Sequence, residues 1–258
     1  MKTIKLPHSL IHAGNLILVN AQYPYRTDLP WQELAPVHAG APDIMLNDQV
    51  TRVLSCLMKK INGWNSITAV SGWRSMEEQV KIYEDSLREN GRRFTEQYVA
   101  LPGHSEHQTG LAIDLAKTQE NIDFIRPDFP YTGICQTFRQ QALSYGFIER
   151  YPKEKETVTG ISHEPWHFRY VGAPHAEIMS DKGMVLEEYL TFLKEYPYEK
   201  TSYQHQSGGT IICISYRKAA KDTDTLFTID DRFPYSISGN NIDGFVLTQW
   251  RTAHENRS

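Results

Sequence analysis

Four of the ten histidines in the chain fall in two short segments that also carry carboxylates. The group consists of His104, Glu106, His107 and Asp114 in the first segment and of His163, Glu164 and His167 in the second. A catalytic zinc ion takes three protein ligands, imidazole nitrogens or carboxylate oxygens, and keeps a fourth position for water. The clustering of these residue types therefore indicates a metal site.

The second segment reads His-Glu-Pro-Trp-His and matches the H-E-x-x-H motif, in which two histidines share one face of a helix. Pro165 contradicts the helix, because a proline in a helix interior removes an amide donor and clashes with the preceding turn, at about 3 kcal/mol. The preceding residues 157–160, Thr-Val-Thr-Gly, also disfavour a helix. We therefore reject the helical motif and predict a site assembled from several segments.

Such an assembly would combine the two segments. His107 and Asp114 are seven residues apart, with Gly110 between them to let the backbone turn, and His167 can supply a third ligand from a later strand. Other histidines and carboxylates of the group are then surplus to any one ligand set. Spacing alone does not select among them.

The spacing of apolar residues predicts helices and strands around these segments. The predicted helices are 47–61, 75–90 with a capping box at Ser75–Glu78, 134–145, and 176–193 with an interruption near Gly183. The predicted strands are 16–20, 66–70, 111–115, 147–148, 166–171, 210–216, 225–229 and 244–248. Because strands and helices mix without a regular βαβ alternation, we predict an α+β fold.

The amino-acid composition argues against some classes of binding partner. The 258 residues include 27 Lys and Arg against 31 Asp and Glu, a formal net charge of −4, which argues against nucleic acid as the main partner. The longest apolar runs are far shorter than the ~20 residues of a membrane-spanning helix, so we expect no membrane span. Three scattered cysteines and an amino terminus without a signal-peptide core predict a cytoplasmic protein.

Three motifs in a fixed order make the sequence similar to a known family. They are S-G-W-R-S at 71–75, S-x-H-x-x-G-x-A-x-D at 105–114 and E-P-W-H at 164–167. Together they resemble the zinc D,D-carboxypeptidases of the VanY, VanX and VanXY group, whose fold family also contains phage endolysin peptidases and the hedgehog signalling domain. The resemblance covers roughly 15–195 and is greatest for the cytoplasmic VanXY type.

The resemblance implies a role for individual residues. His107, Asp114 and His167 would hold one Zn²⁺ per chain, Glu164 would be the general base and acid, and Arg74 would face the developing oxyanion. His104 and His163 would then lie outside the ligand set.

Three further residues are expected beside the substrate: Ser105, Gln79 and Trp166. The implied fold is a central, mostly antiparallel sheet flanked by helices, with the zinc site at the sheet face. We expect a catalytic domain at 1–200 and a small β-rich extension at 201–258, because the sequence after Tyr198 becomes polar and strand-like.

The predicted function is hydrolysis of D-Ala-D-Ala, of peptidoglycan precursors ending in D-Ala-D-Ala, or of both, which implies vancomycin resistance. The substrate would be a small molecule, and the oligomeric state is left open. The segment 117–131 is expected to contribute to the rim of the site. One alternative is an endolysin-like L,D-peptidase. Another is a binding or signalling module with a structural zinc, which would need neither Glu164 nor Arg74.

Overall fold

The computed structural model describes residues 1–27 and 29–252. The helices within them are α1 (Asp48–Ile61), α2 (Met76–Asn90), α3 (Arg92–Tyr98), α4 (Gly133–Ala142), α5 (Glu156–Thr159), α6 (His175–Lys182) and α7 (Leu186–Leu193). The strands are β1 (Lys2–Leu6), β2 (Leu34–His38), β3 (Ala41–Asn47), β4 (Ile67–Ser71), β5 (Ala112–Lys117), β6 (Phe147–Tyr151), β7 (Glu164–Tyr170), β8 (Tyr203–Ser207), β9 (Thr210–Lys218), β10 (Thr225–Ile229), β11 (Tyr235–Gly239) and β12 (Gly244–Thr252).

These elements form two compact units. The larger unit is Val19–Val185, and the smaller unit combines Met1–Leu18 with the chain from Leu186 onward. Among the described residues, none of the helices has the length and continuous hydrophobicity that crossing a lipid bilayer requires. The mixture of helices and antiparallel sheets confirms the predicted α+β fold.

The larger unit is built around a four-stranded antiparallel sheet in the order β4-β5-β7-β6. Its inner strand β5 is buried from Ala112 to Ala116, so side chains of both faces are covered. Strands β2 and β3 form a separate antiparallel pair. An inner strand with both faces covered holds its side chains rigidly, which suits residues that must keep a fixed geometry.

Local sequence explains the ends of the two long helices. Asn47 caps α1 by accepting a hydrogen bond from the backbone of Gln49. In α2 the side chain of Ser75 accepts from the Glu78 backbone while the Glu78 carboxylate accepts from the Ser75 backbone, which confirms the predicted capping box. The capped start of α2 follows Arg74 directly, so it fixes the backbone beside that residue.

The smaller unit contains two antiparallel sheets. One pairs β1 with β10, and the other has the order β11-β12-β9-β8. Apolar side chains pack between them, including Phe227, Ile229, Phe245 and Leu247. Strands β8 to β12 all lie after residue 200, and the first strand of the chain belongs to the same unit. The predicted division of the chemistry between 1–200 and 201–258 stays a prediction.

The strand predicted at 16–20 is wrong. Leu16, Ile17, Leu18 and Val19 are all buried, but they have no regular secondary structure. Within the smaller unit, the backbone N–H of Leu16 donates to the Ser238 side chain, and the backbone N–H of Leu18 donates to the carbonyl of Asn240. A buried apolar run satisfied by side chains and loop carbonyls looks like a strand from sequence alone.

Candidate active site

The structure brings three predicted ligands together. Nε2 of His107 lies 3.1 Å from Oδ2 of Asp114, and Nδ1 of His167 lies 2.9 Å from Oδ1 of the same aspartate. One nitrogen or oxygen from each of the three residues falls within 4.8 Å of the others, and all three residues are buried. These three side chains form a compact donor set of two imidazoles and one carboxylate.

His107 is oriented by a backbone carbonyl. It lies in a 3₁₀ turn, Glu106–Thr109, and its Nδ1 is 2.6 Å from the carbonyl oxygen of Gly72. A carbonyl only accepts, so Nδ1 carries the proton and Nε2 keeps its lone pair toward Asp114. Burial and the charge of Arg74 lower the pKa of His107 to about 4, which favours the neutral ring that a metal needs.

Two glycines allow this turn to pack closely. A Cβ on Gly72 would lie 2.2 Å from the carbonyl oxygen of Met45, so no larger residue fits without a backbone shift. Gly110 ends the turn with φ +69, and a Cβ there would come within 3.0 Å of the Asn47 backbone. The predicted turn at Gly110 is confirmed.

Asp114 and His167 come from neighbouring strands. They are direct partners in the antiparallel register of β5 and β7, which places their side chains on one side of the sheet. Burial alone would raise the pKa of Asp114, but the neighbouring His107 and His167 hold it well below its usual range. The aspartate is therefore the fixed negative charge of the cluster.

Glu164 begins β7 and borders the same cavity as His167 because of a β-bulge. Glu149 of β6 pairs with Phe168 of β7, and Tyr151 of β6 pairs with Glu164 of β7. Between these two pairs β6 has one residue, whereas β7 has three. The bulge breaks the alternation of the strand, and both side chains reach the cavity, with Oε2 of Glu164 3.8 Å from Nδ1 of His167. Burial raises the pKa of Glu164 to about 8.

The strand at Glu164–Tyr170 confirms that His163–His167 is not helical. The expectation that residues 157–160 disfavour a helix is wrong, because the short helix α5 runs to Thr159 and ends at Gly160, which has a positive φ. Arg139 anchors the bulge by donating to the Pro165 carbonyl at 2.6 Å. His163 contacts the Tyr131 hydroxyl at 2.8 Å instead of the cluster.

Arg74 contacts Asp114 at the oxygen that also faces His107. Its guanidinium donates to Oδ2 of Asp114 at 3.1 Å, to the Ser71 hydroxyl at 2.9 Å and to Oε1 of Gln79 at 3.4 Å. The Arg74 side chain is 13% exposed, and it borders the cavity. It is thus held in place on one side while part of it remains available to a bound molecule.

The cavity over the cluster encloses about 510 Å³, including the solvent at its mouth. Ser105 and Trp166 border it, as do Phe124 and Ile125 from the segment predicted to form a rim. Gln79 does not border it. Gln79 is completely buried, where it donates to the Ala100 carbonyl and contacts Arg74, so it reaches a substrate only through that arginine.

His104 also lies outside the donor set, with Nδ1 2.7 Å from the Asn20 carbonyl. The sequence reasoning missed two residues beside the cluster. Arg150 and Arg169 are completely buried, and both donate to Oε1 of Glu106 at 2.8 Å. Arg169 gave a signal, because it is a charged residue within the predicted strand 166–171 and a buried charge needs a buried partner. Arg150 lies two residues beyond the predicted strand 147–148 and gave no such signal.

The donor set fits a catalytic zinc ion better than a structural one. Two imidazole nitrogens and one carboxylate oxygen supply three ligands, whereas a structural site is closed by four, commonly with cysteines. The histidine on the 3₁₀ turn already presents an unprotonated nitrogen, and a carbonyl orients its ring, as metal-binding histidines require. Of the described residues, only His107, Asp114 and His167 form such a group.

Comparison with known proteins agrees with this geometry. The family described as D-alanyl-D-alanine carboxypeptidase, VanY, matches residues 43–173. The chain is 41% identical over 183 residues to the bifunctional D-Ala-D-Ala dipeptidase and D-Ala-D-Ala carboxypeptidase VanXYC of Enterococcus gallinarum, covering 70% of this chain and 96% of that protein.

Two solved structures of D,D-peptidases are also similar to this chain. The vancomycin resistance D,D-dipeptidase VanXYg, crystallised in complex with a D-Ala-D-Ala phosphinate analogue, is 53% identical with a TM-score of 0.94, covering 97% of this chain and 99% of that one. A mutant of the D,D-pentapeptidase VanY from the VanB-type resistance cassette, in complex with Zn(II), is 31% identical with a TM-score of 0.56, covering 68% and 98%. The chain therefore belongs to the D-alanyl-D-alanine carboxypeptidase family, VanY, and is a peptidase of that family.

Proposed function

We propose that the protein is a zinc-dependent D,D-peptidase that hydrolyses D-Ala-D-Ala, the terminal D-Ala of peptidoglycan precursors, or both. The observation that carries the proposal is the placement of Glu164 and Arg74 around the His107–Asp114–His167 donor set in one cavity. A structural metal site needs neither a buried carboxyl nor a guanidinium beside it. A hydrolytic site needs both, one to move a proton and one to stabilise negative charge.

His107, Asp114 and His167 would hold one zinc ion per chain. When bound, the ion would supply Lewis acidity and lower the pKa of a coordinated water toward 7. Glu164 would accept a proton from the attacking water and pass it to the leaving amine of the terminal D-residue. Burial raises the pKa of Glu164 to about 8 in the metal-free protein, and a cation held by the neighbouring ligands would lower it toward neutral pH, where a carboxyl can both accept and return a proton.

Arg74 would stabilise the carbonyl oxygen as it gains negative charge. Its guanidinium is always protonated, and contacts with Ser71 and Asp114 fix its position before the substrate arrives. A donor that is already in place stabilises charge without reorganisation during the reaction. Ser105 and Trp166 border the same cavity and would contact the substrate, whereas Gln79 would hold Arg74.

Removal of terminal D-Ala from cell-wall precursors would support vancomycin resistance, the process named for the VanXYg structure. We place this activity in the cytoplasm, supported by the three cysteines Cys56, Cys135 and Cys213, which are all free. All residues assigned to the reaction lie within 1–200, so we assign catalysis to that segment and a non-catalytic role to 201–258.

The test is product analysis by mass spectrometry with D-Ala-D-Ala and a precursor pentapeptide side by side, with and without a chelator. We expect release of D-Ala from at least one of them, abolished by the chelator and restored by zinc. Cleavage of an L,D bond in a tetrapeptide, with neither D,D substrate cleaved, would instead identify an L,D-peptidase. Bound zinc with no cleavage of any of the three would identify a binding module.

A further inference from the structure

Glu106 is a buried carboxylate that the proposed reaction leaves without a role. It is 1% exposed and precedes His107 in the 3₁₀ turn. One of its oxygens, Oε1, accepts from Arg150 and from Arg169, each at 2.8 Å. Two buried guanidiniums on one oxygen hold this carboxylate firmly and leave its second oxygen for another partner.

The second oxygen faces a ligand histidine. Oε2 of Glu106 and Nε2 of His167 lie 3.5 Å apart, and both are buried without a hydrogen-bond partner among the described residues. An unsatisfied buried polar atom costs about 1–3 kcal/mol, so two such atoms facing each other are strongly favoured to pair. A movement of a few tenths of an ångström closes the gap to an ordinary hydrogen bond of about 2.7–3.2 Å.

The two nitrogens of His167 therefore point at different groups. Nδ1 faces Asp114 at 2.9 Å, within the donor set, and Nε2 faces Glu106 on the opposite side. A carboxylate oxygen only accepts, so a hydrogen bond to it requires the proton on Nε2. That tautomer leaves the lone pair on Nδ1, the atom that faces the donor set.

We propose that Glu106 is a positioning residue that accepts a hydrogen bond from Nε2 of His167 and so presents Nδ1 to the metal. The inference rests on the metal site of the proposed function. The two ligand histidines then have different supports, because His107 donates to a neutral carbonyl, that of Gly72, and His167 to a carboxylate. A carboxylate raises the basicity of the ring and strengthens its bond to a metal.

The first test needs no substitution. In the zinc-loaded protein with ¹⁵N-labelled histidine, we expect the His167 ring to carry its proton on Nε2. That proton should give a low-field NMR resonance and should exchange slowly with water. The resonance can be assigned through the Tyr151 ring, whose centroid lies 4.9 Å from that of His167. A His167 ring protonated on Nδ1, or an Nε2 proton that exchanges as fast as an exposed one, would overturn the proposal.

The second test compares Glu106→Gln with Glu149→Gln. Glu149 also pairs with an arginine of the larger unit, Arg139 at 2.7 Å, but does not contact the donor set, so it is a matched control. We expect Glu106→Gln to weaken zinc binding about 10–100-fold in competition with a chromophoric chelator and to shift the His167 resonance upfield. Glu149→Gln should bind zinc within about twofold of the unsubstituted protein.

The outcomes separate the two proposals. If the unsubstituted protein binds zinc and releases D-Ala, and folded Glu106→Gln keeps its zinc affinity and resonance, the role of Glu106 is wrong and the proposed function stands. If the unsubstituted protein does not bind zinc, both are wrong. If Glu106→Gln fails to fold, the tautomer in the unsubstituted protein decides.

Discussion

Asp114 and His167 face each other across β5 and β7, with Oδ1 of the aspartate 2.9 Å from Nδ1 of the histidine. Cross-strand partners keep this spacing without any help from a ligand, because the register of the sheet sets it. The donor set is therefore largely preformed, and His107 completes it from a turn fixed by Gly72. A preformed set loses little conformational entropy when a metal binds.

Removal of metal should lower both activity and stability. Treatment with a chelator is expected to abolish D-Ala release and to lower the melting temperature, because an ion that binds only the folded state stabilises it by about 2.7 kcal/mol at a hundred times its Kd. Zinc added back should restore both. Differential scanning calorimetry and metal analysis measure these effects. A melting temperature that is the same with and without the chelator would contradict a zinc site at the donor set.

Substitutions of Glu164 and His107 should separate catalysis from metal binding. Glu164→Gln is expected to keep its zinc and lose about 10²–10⁴-fold in kcat, because it removes the proton acceptor and leaves the three ligands in place. His107→Ala should lose the zinc itself. Metal content and kcat are measured on both, and retention of zinc by His107→Ala together with its loss from Glu164→Gln would invert the assignment.

The sequence predicted the residues of the donor set but not the β-bulge on β7. Pro165 correctly excluded a helix for 163–167, and the motifs identified all three residues that the structure brings together. Glu164 and His167 are three positions apart, so a regular strand would place them on opposite faces. That both border one cavity depends on how β7 pairs with β6. Sequence patterns on one strand do not specify the irregular pairing of two.

Long-range pairing explains the other differences. Local signals gave α1 and α2 with their caps, since a cap and its helix are neighbours in the chain. Strand β1 was not predicted, because Lys2 pairs with Ile229 and nothing near residue 2 identifies that partner. Glu106 was left among surplus carboxylates for the same reason: Arg150 and Arg169 reach it from distant strands.

Arg74→Lys should reduce turnover and leave zinc bound. The guanidinium donates to Ser71, Gln79 and Asp114 at once, and a single ammonium cannot keep these contacts and also face a substrate oxygen. Loss of one preorganised donor costs about 2.7–4 kcal/mol, or about 10²–10³-fold in kcat. Arg92→Lys, at an exposed arginine that pairs with Glu96 on its own helix, is the control and should keep full activity. Steady-state kinetics with D-Ala-D-Ala measure both, and equal activity of the two variants would remove Arg74 from the reaction.

His175 should make the free energy of unfolding depend on pH. Burial at the start of α6 lowers the pKa of His175 to about 3, whereas an unfolded histidine titrates near 6.5. Below pH 6.5 the unfolded chain therefore binds a proton that the folded chain does not, and stability falls by up to about 1.4 kcal/mol per pH unit as the pH drops. In urea unfolding of the metal-free protein, the free energy of unfolding of His175→Gln should fall less steeply between pH 6.5 and 5.

His8→Gln is the control and should keep the original slope, because that side chain is exposed in the folded state. If His175→Gln follows the same slope as the unsubstituted protein, the histidine is protonated within the fold, and its burial does not keep it neutral.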